Sequence, residues 1–152
     1  MNAVNFIKIT ENIASSGQPS ATDFTEIASL GYDTIINLAL TTSDNAIADE
    51  GDIVTELGMS YVHIPVQWQQ PTLEQFQLFV AVMQQQYRRK VWVHCALNMR
   101  VSVFLYLYNT LYLGMAEEAA LSTRSQVWQP DEIWSQFIID VKTACKTTAC
   151  KT

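Results

Sequence analysis

The residues best placed to do chemistry together are His94, Cys95 and Arg100, in the run His94-Cys95-Ala96-Leu97-Asn98-Met99-Arg100-Val101-Ser102. A strand-like segment, Val91-Trp92-Val93, leads into the cysteine. A long apolar segment that reads as a buried helix follows the arginine. A cysteine at a strand's end, a short loop and an arginine entering a helix make an anion site: loop N–H groups and the helix N-terminus face one point, where an oxyanion can sit. The same field, with the Arg100 guanidinium, favours the thiolate of Cys95 and makes it a nucleophile at neutral pH. Cys95 and Arg100 are therefore the catalytic candidates, and Ala96, Leu97, Asn98, Met99 and Arg100 the anion-binding loop.

The elements that must hold this loop follow from periodicity and punctuation. Phe6, Ile7 and Ile9 suggest a first strand, and Ser15-Ser16-Gly17-Gln18-Pro19 reads as a turn. Ser20 or Thr22 can cap a helix with the stripe Phe24, Ile27, Ala28 and Leu30, closed by Gly31. Thr34 to Leu38 reads as a buried strand and Ala46 to Leu57 as a second helix, with Gly58 as its stop. Tyr61 to Ile64 is the next strand, ended by Pro65. Thr72 and Gln75 form a capping box for a helix whose face is Phe76, Phe79, Val80 and Met83. After the buried helix Gly114 breaks the chain, and Ala116 to Val127 and Asp131 to Lys142 read as two more helices. Alternating strands and helices predict an α/β domain with a parallel-rich central sheet flanked by helices. Sites in such sheets lie at the carboxyl ends of strands, where Cys95 and the Pro65 to Pro71 loop both fall.

Composition narrows the rest. A chain of 152 residues with 49% hydrophobic content makes one domain with a real core. Residues 1–142 are expected to form it, and residues 143–152, where Thr-Ala-Cys-Lys-Thr occurs twice in succession, a disordered tail. A net charge of −6 argues against a nucleic-acid surface. The one dense basic cluster, Arg88-Arg89-Lys90, precedes the Cys95 strand and so lies at its opposite end. The longest apolar run, Val101 to Leu113, is too short and too interrupted to span a bilayer, so no membrane partner is expected. Three cysteines give no disulfide framework, and a reducing cytoplasm is the simpler home. Two histidines and no dinucleotide glycine pattern leave no metal site and no cofactor to expect.

Strand, His-Cys, loop, Arg, helix resembles the signature of cysteine-based protein tyrosine and dual-specificity phosphatases. Ser16-Gly17-Gln18-Pro19, the Thr34 to Leu38 strand with Asn37, and Tyr61-Val62-His63-Ile64-Pro65-Val66 resemble small bacterial phosphatase-like domains also found fused to β-lactamase-fold hydrolases. The resemblance spans most of residues 6–140. It implies a dual-specificity-phosphatase-like fold and hydrolysis of a phosphomonoester such as phosphotyrosine, on a phosphorylated small molecule or protein, through a cysteinyl-phosphate. By position, Cys95 is the nucleophile, Arg100 the phosphate clamp, and the amides of Ala96 to Arg100 the cradle. His94 orients the loop, and Ser102 hydrogen-bonds the thiolate. Arg124 matches a basic position behind the loop.

Two departures modify that expectation. The family places five residues, usually with a glycine, between cysteine and arginine. Here there are four, Ala96 to Met99, without glycine. A shift of one place on a helix is about 100° of rotation, which aims Arg100 away from the pocket unless the loop is tighter. The family's general-acid aspartate is also missing. Its loop reads Val66-Gln67-Trp68-Gln69-Gln70-Pro71, and Glu74 is the nearest carboxylate. Weak turnover is expected, since such an acid is typically worth about 10²–10⁴-fold. The glutamines are candidates to hold substrate or water, and Trp68 to cover the pocket mouth. A Cys-x4-Arg loop also resembles rhodanese-type sulfurtransferases, which carry sulfur as a cysteine persulfide and need no separate acid. A non-catalytic anion-binding module is the remaining alternative.

Overall fold

The computed structural model describes residues 1–147. A five-stranded sheet is built from β1 (Ile7–Lys8), β2 (Ile13–Ser16), β3 (Thr34–Asn37), β4 (Ser60–His63) and β5 (Val91–His94), in the order β1-β2-β5-β3-β4. Only β1 runs antiparallel to its neighbour; β2, β5, β3 and β4 are parallel, as the α/β pattern predicts. Ser16, His94, Asn37 and His63 lie in register at the carboxyl ends of these four strands.

Six helices are present among the described residues: α1 (Ala21–Ser29), α2 (Glu50–Glu56), α3 (Leu73–Gln85), α4 (Met99–Leu111), α5 (Glu117–Ser125) and α6 (Glu132–Thr147). Strand side chains alternate between two cores. Ile13, Ile36, Val91 and Val93 face a large core with α3, α4, α5 and α6. Ala14, Ile35 and Trp92 face a smaller one, filled by Phe24 and Ile27 of α1 and Val54 of α2. A sheet buried on both faces explains why β5 reads as a continuous apolar run. The caps are where the sequence puts them. Ser20 and Asp23 exchange side-chain hydrogen bonds with each other's amides at the start of α1, and Thr72 and Gln75 do the same for α3. Gly31, Gly58 and Gly114 have positive φ, the conformation that ends a helix without penalty in glycine.

Three expectations need correction. Ile13-Ala14-Ser15-Ser16 is a strand, although residues 15–19 read as a turn. Its small side chains carry little β-propensity, and pairing with β5 decides its conformation. The second helix begins at Glu50 rather than Ala46, because residues 43–47 turn and lean on the loop after β5 through Asn45. Helix α6 continues to Thr147, so the first Thr-Ala-Cys-Lys-Thr copy is its last turn; residues 148–152 lie outside the described residues. Cys95 is a free thiol. No helix among the described residues is long and apolar enough to cross a membrane.

Candidate active site

Strand β5 delivers Cys95 to the floor of a cavity of about 300 Å³ lined by Trp68, Cys95, Ala96, Leu97, Met99 and Arg100. Cys95 is 1% exposed, so a reagent reaches it only through this cavity. Helix α4 starts four residues later and is buried from Arg100 to Asn109, which fixes its first turn against the loop.

The loop is held from outside by its carbonyls. The Ala96 carbonyl accepts from the Gln18 amide and from Asn45 Nδ2, each at 3.1 Å. The Leu97 carbonyl accepts from Asn5 Nδ2 at 3.0 Å, and the Cys95 carbonyl faces His94 Nδ1 at 3.2 Å. A trans peptide sets its N–H opposite its C=O, so the amides of Ala96, Leu97 and Asn98 turn to the other side. The antiparallel bridge between Gly17 and Leu97 sets the Asn98 amide toward the Ser16 carbonyl, and the amides of Ala96, Leu97, Met99 and Arg100 have no partner among the described residues. Unpartnered loop amides beside a helix N-terminus are donors of the kind that bind anions.

The absent glycine is replaced by Asn98. Its φ is +70°, a left-handed conformation that asparagine tolerates better than most residues. Its Nδ2 donates to the Asn5 carbonyl at 2.7 Å and to Ser15 Oγ at 3.1 Å. Asn5 and the peptide around Asn98 thus brace one another.

Arg100 does reach the cavity. Its Nη1 donates to the Val66 carbonyl at 2.9 Å, and its guanidinium lies 5.8 Å from the Trp68 ring centroid. Its Nε is buried with no hydrogen-bond partner. A buried donor left unpaired is costly. The four-residue loop is therefore tight enough to bring the arginine in.

Ser102 is placed differently from the expectation. Its hydroxyl donates to the Met99 carbonyl at 2.7 Å and accepts from Trp128 Nε1 at 3.0 Å, so it braces the first turn of α4 instead of bonding the thiol. Trp128, Trp68 and Trp134 pack together, and Trp134 Nε1 donates to the Trp68 carbonyl. Trp68 is thus a fixed wall of the cavity. Gln69 and Gln70 line a separate depression with α6, and Gln67 is exposed. Glu74 is an exposed residue in the first turn of α3 and does not line the cavity. Arg124 stacks on Tyr106 at 4.6 Å in a niche that also holds Ser15 and Ser102. His63 Nε2 meets the Ala39 carbonyl at 2.6 Å, away from Cys95.

One residue that sequence reasoning passed over is Glu50. Its Oε2 lies 2.6 Å from His94 Nε2, and its Oε1 accepts from Gln18 Nε2 at 2.6 Å. Burial alone would raise its carboxyl, but hydrogen bonding and charge from His94 outweigh this and hold it below its ordinary range. The neighbouring Tyr61 hydroxyl is pushed up to about 12, by burial first and then by Glu50. Nothing in Asp49-Glu50-Gly51-Asp52 separates Glu50 from its exposed acidic neighbours; only the fold does. Among the described residues no cluster of His, Cys, Asp and Glu forms a metal site.

A family described as DSP-PTPase phosphatase fused to NAD+ kinase matches residues 8–132. A crystal structure of a candidate phosphatase of the DUF442 group from Shewanella putrefaciens CN-32 is 34% identical, covering 93% of this chain and 91% of that one, with a TM-score of 0.85. Tk-PTP in its active form superposes with a TM-score of 0.77 at 18% identity, covering 91% and 97% of the two chains. P. aeruginosa TpbA in complex with pTyr gives 0.71 at 15% identity, covering 95% and 91%. These last two likenesses bear on the fold alone. No curated protein matches the chain.

Proposed function

Because the chain belongs to the family of DSP-PTPase phosphatase domains described as fused to NAD+ kinase, we propose that it hydrolyses a phosphomonoester through a cysteinyl-phosphate on Cys95. The observation that carries this reading is that Cys95 and the buried Arg100 line one cavity. In the first step the Cys95 thiolate attacks phosphorus, a P–S bond forms and the P–O bond to the leaving group breaks. Arg100 and the amides of Ala96, Leu97, Met99 and Arg100 hold the three equatorial oxygens, on which the transition-state charge is spread. Water then attacks phosphorus, releasing orthophosphate and the thiolate. His94 and Ser102 act on loop shape rather than on substrate. The substrate is a phosphorylated small molecule or protein. The pTyr bound by TpbA is in keeping with an aryl phosphate, as is the apolar wall of Trp68, Leu97 and Met99.

The test is hydrolysis of p-nitrophenyl phosphate. Wild type should turn over slowly and be inhibited by orthovanadate, and Cys95→Ser should remove activity while still binding orthophosphate. Hydrolysis undiminished in Cys95→Ser refutes the reading.

A second reading is favoured by one observation: no carboxylate lines the cavity. In sulfur transfer the Cys95 thiolate attacks the outer sulfur of thiosulfate, sulfite leaves unprotonated, and the persulfide passes its sulfur to an acceptor thiolate or cyanide. Thiosulfate-to-cyanide transfer, with a mass gain of one sulfur on Cys95, distinguishes it from phosphoryl transfer.

A further inference from the structure

His94 is fully buried between two acceptors. On one edge of the ring, Nδ1 faces the Cys95 carbonyl oxygen at 3.2 Å; on the other, Nε2 meets Glu50 Oε2 at 2.6 Å. A carbonyl oxygen has no hydrogen to give, so Nδ1 must carry one. The proton in the short contact then belongs either to Nε2, making an imidazolium beside a carboxylate, or to Oε2, making a neutral pair.

The surroundings favour the charged pair. Glu50 Oε1 accepts from Gln18 Nε2, which supports a carboxylate on its second oxygen. The Glu50 side chain is 4% exposed and that of His94 is 0% exposed, so the attraction between them is little screened. Tyr61 of β4, the titratable neighbour of Glu50, keeps its proton at neutral pH. The edge of the Phe24 ring from α1 faces His94 at 6.0 Å and carries no charge. Arg100 of α4 stands at the cavity that Cys95 floors. No other carboxylate pairs with His94 among the described residues.

We propose that Glu50 is a positioning residue for the chemistry of Cys95: as a carboxylate it holds His94 in the doubly protonated form, so that one ring anchors the Cys95 carbonyl and sets a positive charge next to the thiolate. Gln18 ties the device to the loop a second time, because its side chain binds Glu50 while its amide binds the Ala96 carbonyl. The inference rests on Cys95 as the nucleophile, whichever group it attacks.

The experiment compares wild type with Glu50→Gln, which keeps the shape and can still hydrogen-bond Nε2 but cannot balance a charge on the ring. Two readouts are needed: the ¹⁵N spectrum of the His94 ring, and the rate of iodoacetamide alkylation of Cys95 against pH, followed by mass spectrometry of its peptide. The wild-type ring should carry hydrogen on both nitrogens at pH 7, and the variant ring on one. Alkylation at pH 6 should slow by about tenfold in the variant, the effect of removing one nearby opposite charge from a thiolate. A singly protonated ring in wild type, or an unshifted alkylation profile in folded Glu50→Gln, overturns the proposal. The spectrum of the wild type decides the matter even if the variant fails to fold. Neither readout needs turnover, so absence of phosphatase activity with a shifted alkylation profile removes the phosphatase reading and leaves the role of Glu50 standing.

Discussion

Arg100 Nη1 donates to the main-chain carbonyl of Val66 at 2.9 Å, joining α4 to the loop that follows β4. The bond pins one arm of the guanidinium to the scaffold, while Nε is buried without a partner. A planar fork can serve scaffold and anion together, whereas an ammonium acts as a single point.

Arg100→Lys should therefore keep the charge and lose the geometry. The expected result is a fall of about 10²–10³ in kcat/KM for p-nitrophenyl phosphate, comparable to loss of one preorganised transition-state donor. Orthovanadate inhibition should weaken in parallel while the thermal midpoint changes little. Full activity in Arg100→Lys would show that the second arm is not used.

Gly17 is the point where β2's continuation touches the catalytic loop. A Cβ built there would lie 2.6 Å from the Ala96 carbonyl oxygen and 3.1 Å from Leu97 Cα, both backbone atoms of the loop. Gly17→Ala must move the loop, at a cost of about 1–3 kcal/mol in stability. Because the displaced peptide carries the Leu97 amide, one of the proposed phosphate donors, kcat/KM should drop by more than the stability loss accounts for. Denaturant unfolding and steady-state kinetics on the same preparation separate the two effects.

The parts of this molecule that could be read from the chain are those with local causes. The capping box at Thr72, the glycine stops and the apolar stripe of α3 each need only a few neighbouring residues, and each is where it was expected; of the two caps open to the first helix, Ser20 is the one used. The Cys95 loop was legible because a nucleophile, a cation and a strand-to-helix junction occur within nine residues. What escaped was non-local. Ile13 to Ser16 is a strand because β5 and β1 flank it, not because of its own residues. Glu50 matters because its helix is packed so that one carboxylate out of several meets His94, 44 positions away. Asn5 supports Leu97 across 92 positions. Ser102 was misread because spacing fixes how far it lies from Cys95 along the helix but not that Trp128 and Met99 would claim its hydroxyl.

Glu50 also predicts how stability responds to acid. Its carboxyl is held below its ordinary value of 4.5 in the folded protein. Protons therefore bind the unfolded chain more readily. The stabilisation is complete above that ordinary value and is lost as pH falls through the lowered native one. Asp23 is shifted the same way: burial opposes the shift, but the Ser20 and Asn2 amides outweigh it. The wild-type curve alone thus reports both groups, and the difference from Glu50→Gln isolates one. Thermal midpoints should fall on acidification below about pH 4.5, less steeply in the variant. Glu50→Ala, which strips His94 of its buried partner, should cost about 3–5 kcal/mol near neutrality.

The wall of the Cys95 cavity carries no carboxylate, and Trp68 occupies the segment where a proton donor is expected. If phosphoryl transfer takes place there, the leaving oxygen departs with its negative charge, and the rate must depend steeply on how well it bears that charge. Phenyl phosphate should be cleaved at least about 10²-fold more slowly than p-nitrophenyl phosphate, since a positioned acid that would level the two is typically worth 10²–10⁴-fold. The pH profile of kcat should then lack the alkaline decline that deprotonation of an acid produces, rising instead to a plateau. Trp68→Asp restores a carboxyl at the cavity wall, and a variant that folds should narrow the gap between the two substrates. A shallow leaving-group dependence together with a bell-shaped profile in wild type would mean that a donor reaches the leaving oxygen from outside this cavity, and Glu74, three residues beyond Pro71, would be the first to replace.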